Sequence, residues 1–169
     1  MFYLPDLPTD RTMDELSRRY NNINPSAIKI CAALLRTGSE MLTAFESIFS
    51  RYGLSHGRFL TLIVMNRTPA KEVNPSYLAK KVGVKRATMT GLLNGLEKGG
   101  FIERLTEPED RRKVRVRLTD QGCHLLNQVL PGYYRQIAKT MSKLTEKERQ
   151  DLMSLLQKVN QGLSSLHRR

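Results

Sequence analysis

Tryptophan is absent from this 169-residue chain, cysteine occurs twice, and aromatic residues make up only 7% of it. Two thiols, Cys31 and Cys123, cannot staple a domain of this size. That excludes a disulfide-rich secreted fold and makes a reducing cytoplasm the expected compartment. No uninterrupted apolar run approaches the ~18 residues that a membrane span requires. The opening stretch MFYLPDLPTDRT has neither a basic leader nor an apolar core, so no signal peptide is expected. The three histidines, His56, His124 and His167, are too few and too scattered for a metal site. No nucleophile–base–orienter set or phosphate-cradling glycine loop is visible, so neither an enzyme nor a resident cofactor is expected. Acids are scarce as well: 16 stand against 28 lysines and arginines, for a formal charge of +12. A surplus that large implies a polyanionic partner, either nucleic acid or an anionic membrane face.

The remaining composition, 40% apolar and 26% charged, is that of one globular domain or of one domain with helical extensions. Residues 1–25 read as a polar arm in which Thr9 or Asp10 caps a short helix carrying Met13, Leu16 and Tyr20. From Ser26, read as a cap, to Tyr52, apolar residues recur at spacings of three and four. They include Ile30, Cys31, Leu34, Leu35, Met41, Leu42, Phe45 and Phe49. Such a helix is about 40 Å long, more than one small core requires, so part of its stripe is expected to face another subunit. Ser55 opens a second helix through Asn66, and residues 67–75 read as a loop. Short helices follow over Ser76–Val82 and Lys85–Lys98, separated by a Gly83-Val84 turn. Phe101–Leu105 and the alternating V-R-V-R-L of Val114–Leu118 read as strands around a polar turn, Thr106–Lys113. Thr119 caps a long helix to about Leu144, with Pro131-Gly132 inside it, and T-E-K-E at 145–148 forms a capping box for the last helix.

The charge is concentrated. Ser76–Arg117 holds 11 basic and 5 acidic residues, a net of 11 − 5 = +6, half the chain's surplus in a quarter of its length. Within this window Leu78, Ala79 and Val82 bury one helix and Met89, Leu92, Leu93 and Leu96 bury the next. This is the spacing of a helix-turn-helix. The second helix is left with a polar face of Lys85, Arg86, Thr88, Thr90 and Asn94. Arginine and lysine pair with guanine edges or phosphates, asparagine with adenine, and threonine with phosphate or a thymine methyl. Just beyond, E-P-E-D-R-R-K places Arg111, Arg112 and Lys113 at a hairpin tip. A long arginine there suits the negative potential of a narrow minor groove. Asp110 is placed to steady that hairpin by ion pairing.

Three segments carry a resemblance: G-L-S-H-G-R-F-L-T-L (53–62), the Leu78–Ile102 stretch ending L-E-K-G-G-F-I, and D-R-R-K-V-R-V-R-L-T-D-Q-G (110–122). With the flanking helices they cover about residues 27–165, and the chain resembles a MarR-family winged helix-turn-helix transcriptional regulator. The resemblance implies a mainly α (α+β) fold. Residues 55–118 would form the DNA-binding domain, 26–54 and 119–169 the dimerisation helices, and 1–25 an arm. It further implies a homodimer on a pseudo-palindromic operator in double-stranded DNA, acting as a repressor until an effector releases it. By position, Asp110 would steady the wing, Arg112 would enter the minor groove, and the helix opened by Lys85-Arg86 would read the major groove. Two departures stand out. Lys85 occupies a place where the family usually has a capping residue, and lysine accepts no hydrogen bond from a helix amide. Gly91 and Gly95 each cost the reading helix roughly 1 kcal/mol against alanine. Close approach to DNA or a helix that orders on binding would each account for them.

For the effector, the resemblance points to a small aromatic or phenolic anion bound between the dimer helices and the reader. Met41, Phe45, Arg58 and Phe59 are candidate pocket residues, though residues of these types are more often plain core or surface. Cys31 falls where the peroxide-sensing branch of the family keeps its reactive thiol, but the tyrosine positions of that branch correspond to Phe45 and His56 here. A thiol-based peroxide sensor through Cys31 and a non-specific, architectural DNA-binding protein are the alternative functions.

Overall fold

The computed structural model describes residues 6–70, 72–107 and 110–166, with side chains described outside 106–113 and 164–166. It divides into two compact units, Met1–Val129 and Leu130–Arg169. In chain order the elements are α1 (Asp10–Arg19), α2 (Pro25–Ser50), α3 (His56–Arg67), β1 (Glu72–Val73), α4 (Pro75–Val82), α5 (Arg86–Lys98), β2 (Ile102–Glu107), β3 (Asp110–Leu118), α6 (Asp120–Met141) and α7 (Glu146–Leu166). The fold is mainly helical, with one small antiparallel sheet ordered β1-β3-β2.

Capping residues set most of these boundaries. Thr9, not Asp10, caps α1, accepting from the Thr12 N–H. Asn24, not Ser26, caps α2: its Oδ1 accepts from the Ala27 N–H at 3.1 Å, and the Ser26 hydroxyl donates to the same oxygen. Pro25 then takes the first helical turn, where its missing N–H costs nothing. The same pair recurs at α4, where Asn74 caps and Pro75 precedes the expected start. Between α4 and α5, Gly83 sits at φ +78°, a left-handed residue whose N–H and that of Val84 both reach the Ala79 carbonyl. Only glycine takes that conformation without strain.

Two further expectations are corrected. The 67–75 stretch is not all loop: Glu72 and Val73 pair with Arg117 and Val116 as the sheet's third strand. The polar turn is shorter than Thr106–Lys113, because β2 and β3 stay paired as far as Glu107 with Asp110. A two-residue strand is too short for periodicity to reveal, and charged residues pair as readily as apolar ones once a strand partner is supplied.

The core of the first unit joins α2, α3, α4, α5 and the sheet. Phe49 and Phe59 stack with ring centroids 4.2 Å apart. They are buried with Leu62, Leu78, Met89, Leu93, Leu96, Val116, Leu126 and Val129. Alternation along β3 is as expected, with Val116 buried and Arg115 and Arg117 exposed. The start of α6 is pinned to the start of β2. The Thr119 hydroxyl donates to the Gly100 carbonyl (2.6 Å), and its N–H donates to the Phe101 carbonyl (3.2 Å). In the second unit, α7 begins with the expected box: the Glu148 carboxylate accepts from the Thr145 N–H and hydroxyl, and the Glu148 N–H donates back to Thr145 Oγ1.

Candidate nucleic-acid interface

Helix α5 buries Met89, Leu93 and Leu96 and turns the opposite side outward. Lys85, Arg86, Thr88, Thr90 and Asn94 are all exposed there, joined by Gly91 and Lys98. The Thr90 hydroxyl donates to the Arg86 carbonyl one turn back, so it lies along the helix. The N-terminus of α5 differs from the other helix starts. Side-chain oxygens of Thr9, Asn24, Ser55, Asn74, Thr119 and Thr145 cap the other six helices. Lys85 offers no such bond. The first N–H groups of α5 therefore have no side-chain acceptor, and two cations stand at the positive end of the helix dipole. That placement is unfavourable by a few tenths of a kcal/mol in isolation and favourable only when an anion joins them.

The structure sorts the basic window into two groups. On the sheet, Arg117 pairs with Glu103 directly across the ladder, and Arg115 lies 3.9 Å from Glu72. The hydrogen bond from Arg117 to Glu103, followed by their Coulomb attraction, holds the guanidinium more firmly protonated than usual. Arg104 pairs with Glu97 at 2.9 Å. On the helices, Lys80, Lys81, Lys85, Arg86 and Lys98 have no acidic partner among the described residues. Among the described residues of the window, the uncompensated charge thus lies on α4 and α5. The side chains of Asp110, Arg111, Arg112 and Lys113 lie outside the described residues; their backbone forms the first part of β3.

Packing against α3 fixes the pose of α5. A methyl built on Gly57 would meet Leu92 at 3.1 Å, and one on Gly95 would meet the Arg58 guanidinium at 2.2 Å. Gly95 is therefore a slot for Arg58, whereas Gly91 has open space around it. Cys31 is an exposed free thiol on α2. Phe45, one of the two positions considered beside it, is buried about 21 Å further along the same helix by the rise per residue. His56, the other, stacks on Phe49 at 5.8 Å. Phe59 is core. Leu34, Leu35, Gly38, Met41, Leu42 and Phe45 line an open apolar groove of about 360 Å³.

The MarR family model matches residues 54–114, which span α3 through the start of β3. The transcriptional repressor YetL of Bacillus subtilis is 32% identical over 95% of this chain and 96% of its own length. The chain belongs to the MarR family. Among solved structures, the MarR-family transcription regulator SP03579 superposes with a TM-score of 0.72 at 21% identity, covering 95% of this chain and 99% of that one. A mutant of Escherichia coli MarR complexed with operator DNA superposes with a TM-score of 0.66 at 26% identity, covering 75% of this chain and 91% of that one. The protein is thus a MarR-family transcriptional regulator with a winged helix-turn-helix. In this MarR-family chain, α4 and α5 form the helix-turn-helix, and β2 and β3 form the wing hairpin. No described helix is long and apolar enough to cross a membrane.

Proposed function

We propose that this regulator binds a pseudo-palindromic operator in double-stranded DNA as a homodimer, with α5 of each copy in a major groove. The observation that carries the reading is the start of α5. Uncapped N–H groups and the exposed, acid-free cations Lys85 and Arg86 meet at one point there, an arrangement that suits a phosphate or guanine edge. Thr88 and Thr90 extend the same surface along the groove. Arg111, Arg112 and Lys113, held on the hairpin with Asp110, take the backbone and minor groove beside it, as the family resemblance implies.

Dimerisation is supported by apolar surface left on the long helices. Ile30 and Leu35 on α2 are both 58% exposed, and in the second unit Met153, Leu155, Val159 and Leu163 of α7 are exposed as well. Stripes like these call for a partner helix. The protein acts in the cytoplasm as a repressor without catalytic activity. A small aromatic or phenolic effector, the ligand class the resemblance implies, releases it from DNA. Selection of duplexes from a random pool tests the reading. An enriched inverted repeat is expected; recovery of DNA with no common sequence would overturn it.

A further inference from the structure

We infer that Arg104 is a positioning residue that locks the wing to the reading helix, and that Asn94 serves this lock instead of reading a base. The inference rests on the operator reading above and refines the role of one residue in it. On β2, Ile102 and Arg104 pair across the ladder with Leu118 and Val116. Directly paired residues share a face of the sheet, and Val116 is fully buried. Arg104 therefore stands on the core-facing side of the strand, where a period of two calls for an apolar residue. A guanidinium there needs partners, because an unpaired charge next to a core is costly.

Its partners lie on α5. Nη1 donates to Glu97 Oε2 at 2.9 Å and Nη2 donates to Asn94 Oδ1 at 2.6 Å. Residues 94 and 97 are three apart on one helix and so present neighbouring side chains. One planar fork thereby ties β2 to two points on the second half of α5. To pair bidentately with adenine, Asn94 would have to accept from the base with the same oxygen that Arg104 already occupies. Glu97 also offsets the charge of Arg104, which removes it from the cations available to phosphate.

The distinguishing variant is Arg104→Lys. Lysine keeps the charge but is a single point donor and cannot reproduce the fork. Binding to the selected duplex is measured at a temperature where every variant is fully folded, so a purely structural loss does not register. Arg104→Lys and Arg104→Ala are both expected to weaken binding about tenfold, the scale of one charge-assisted hydrogen bond. Asn94→Ala should weaken it without changing the base preferred at any operator position. Wild-type affinity in Arg104→Lys, or a preference relaxed at one A·T pair per half-site in Asn94→Ala, would overturn the inference. The free protein gives a reading that needs no DNA. In a double-mutant cycle on thermal unfolding, Arg104→Ala with Asn94→Ala should cost no more than the larger single loss, and additive losses would refute the lock. A wild-type protein that selects no sequence defeats the operator reading instead, and the cycle still decides the lock.

Discussion

Arg58 lays its guanidinium across Gly95, so close that a methyl on residue 95 would stand 2.2 Å from a terminal nitrogen and 2.6 Å from the guanidinium carbon. The reading helix thus carries a cationic side chain from α3 in a notch that only glycine leaves open. Gly91, one turn earlier, faces outward with nothing within 4 Å. Two glycines that look equivalent in the sequence have different roles.

Gly91→Ala should therefore stabilise the free protein by about 0.5–1 kcal/mol, the helix-propensity difference. Its operator affinity should fall, because the added methyl stands on the groove-facing side. Gly95→Ala should gain less, since Arg58 must swing out of the notch. Thermal melts and duplex titrations of both variants check this. Equal stabilisation by the two would contradict the slot.

Gly122→Ala should be among the most damaging single substitutions outside the hydrophobic core. A methyl on residue 122 would lie 2.1 Å from the Phe101 carbonyl oxygen, a backbone atom with nowhere to go. The start of α6 would have to lift from β2, at a cost of about 3 kcal/mol, the upper end of overpacking. Denaturant unfolding measures it, and a loss below about 1 kcal/mol, the lower end of that range, would mean the junction yields easily.

The α7 cap predicts a pH dependence. Hydrogen bonds from the Thr145 N–H and then its hydroxyl hold the Glu148 carboxyl below the ordinary glutamate value of 4.5. Glu146 is lowered too, first by the Arg149 guanidinium. A carboxyl depressed in the folded state stabilises it fully above the ordinary value, and that contribution is lost as pH falls through the lowered one. Protection factors of the amides at the start of α7, referenced to the intrinsic exchange rate at each pH, should fall over that acid window and fall less in Glu148→Gln. Carboxyl-carbon titration by NMR checks the order directly; Glu148 titrating at or above its ordinary value would contradict the cap.

Arg86→Ala should weaken operator binding across all sequences and flatten the dependence of log K on log salt. Removing one phosphate partner lowers the slope by about one, hence by about two for a pair of copies. Lys98→Ala, at the far end of α5, should change the slope less. An unchanged slope in Arg86→Ala would place phosphate elsewhere.

Much of this architecture was legible in the sequence because its signals are local. Spacings of three and four mark the helices, the V-R-V-R-L alternation marks β3, and T-E-K-E marks the start of α7. The outer face of α5 followed from knowing which residues its core needs. What escaped depends on partners distant along the chain. The two-residue strand β1 exists only because β3 offers it an edge. Asn24 and Ser26 are both competent caps, and the geometry of Pro25 decides between them. Arg104 was hidden in a strand that reads two residues short at its far end; its out-of-phase position was the available signal, and its meaning required Asn94 and Glu97 across the gap. The window's charge count also did not show that acids across the sheet pair with Arg115 and Arg117.

Methylation interference on the selected duplex tests the central claim most directly. If paired α5 helices lie in successive major grooves, methylating guanine N7 should block binding in two patches about one helical turn apart. Interference confined to adenine N3 in the minor groove, or a single patch per bound duplex, would contradict it.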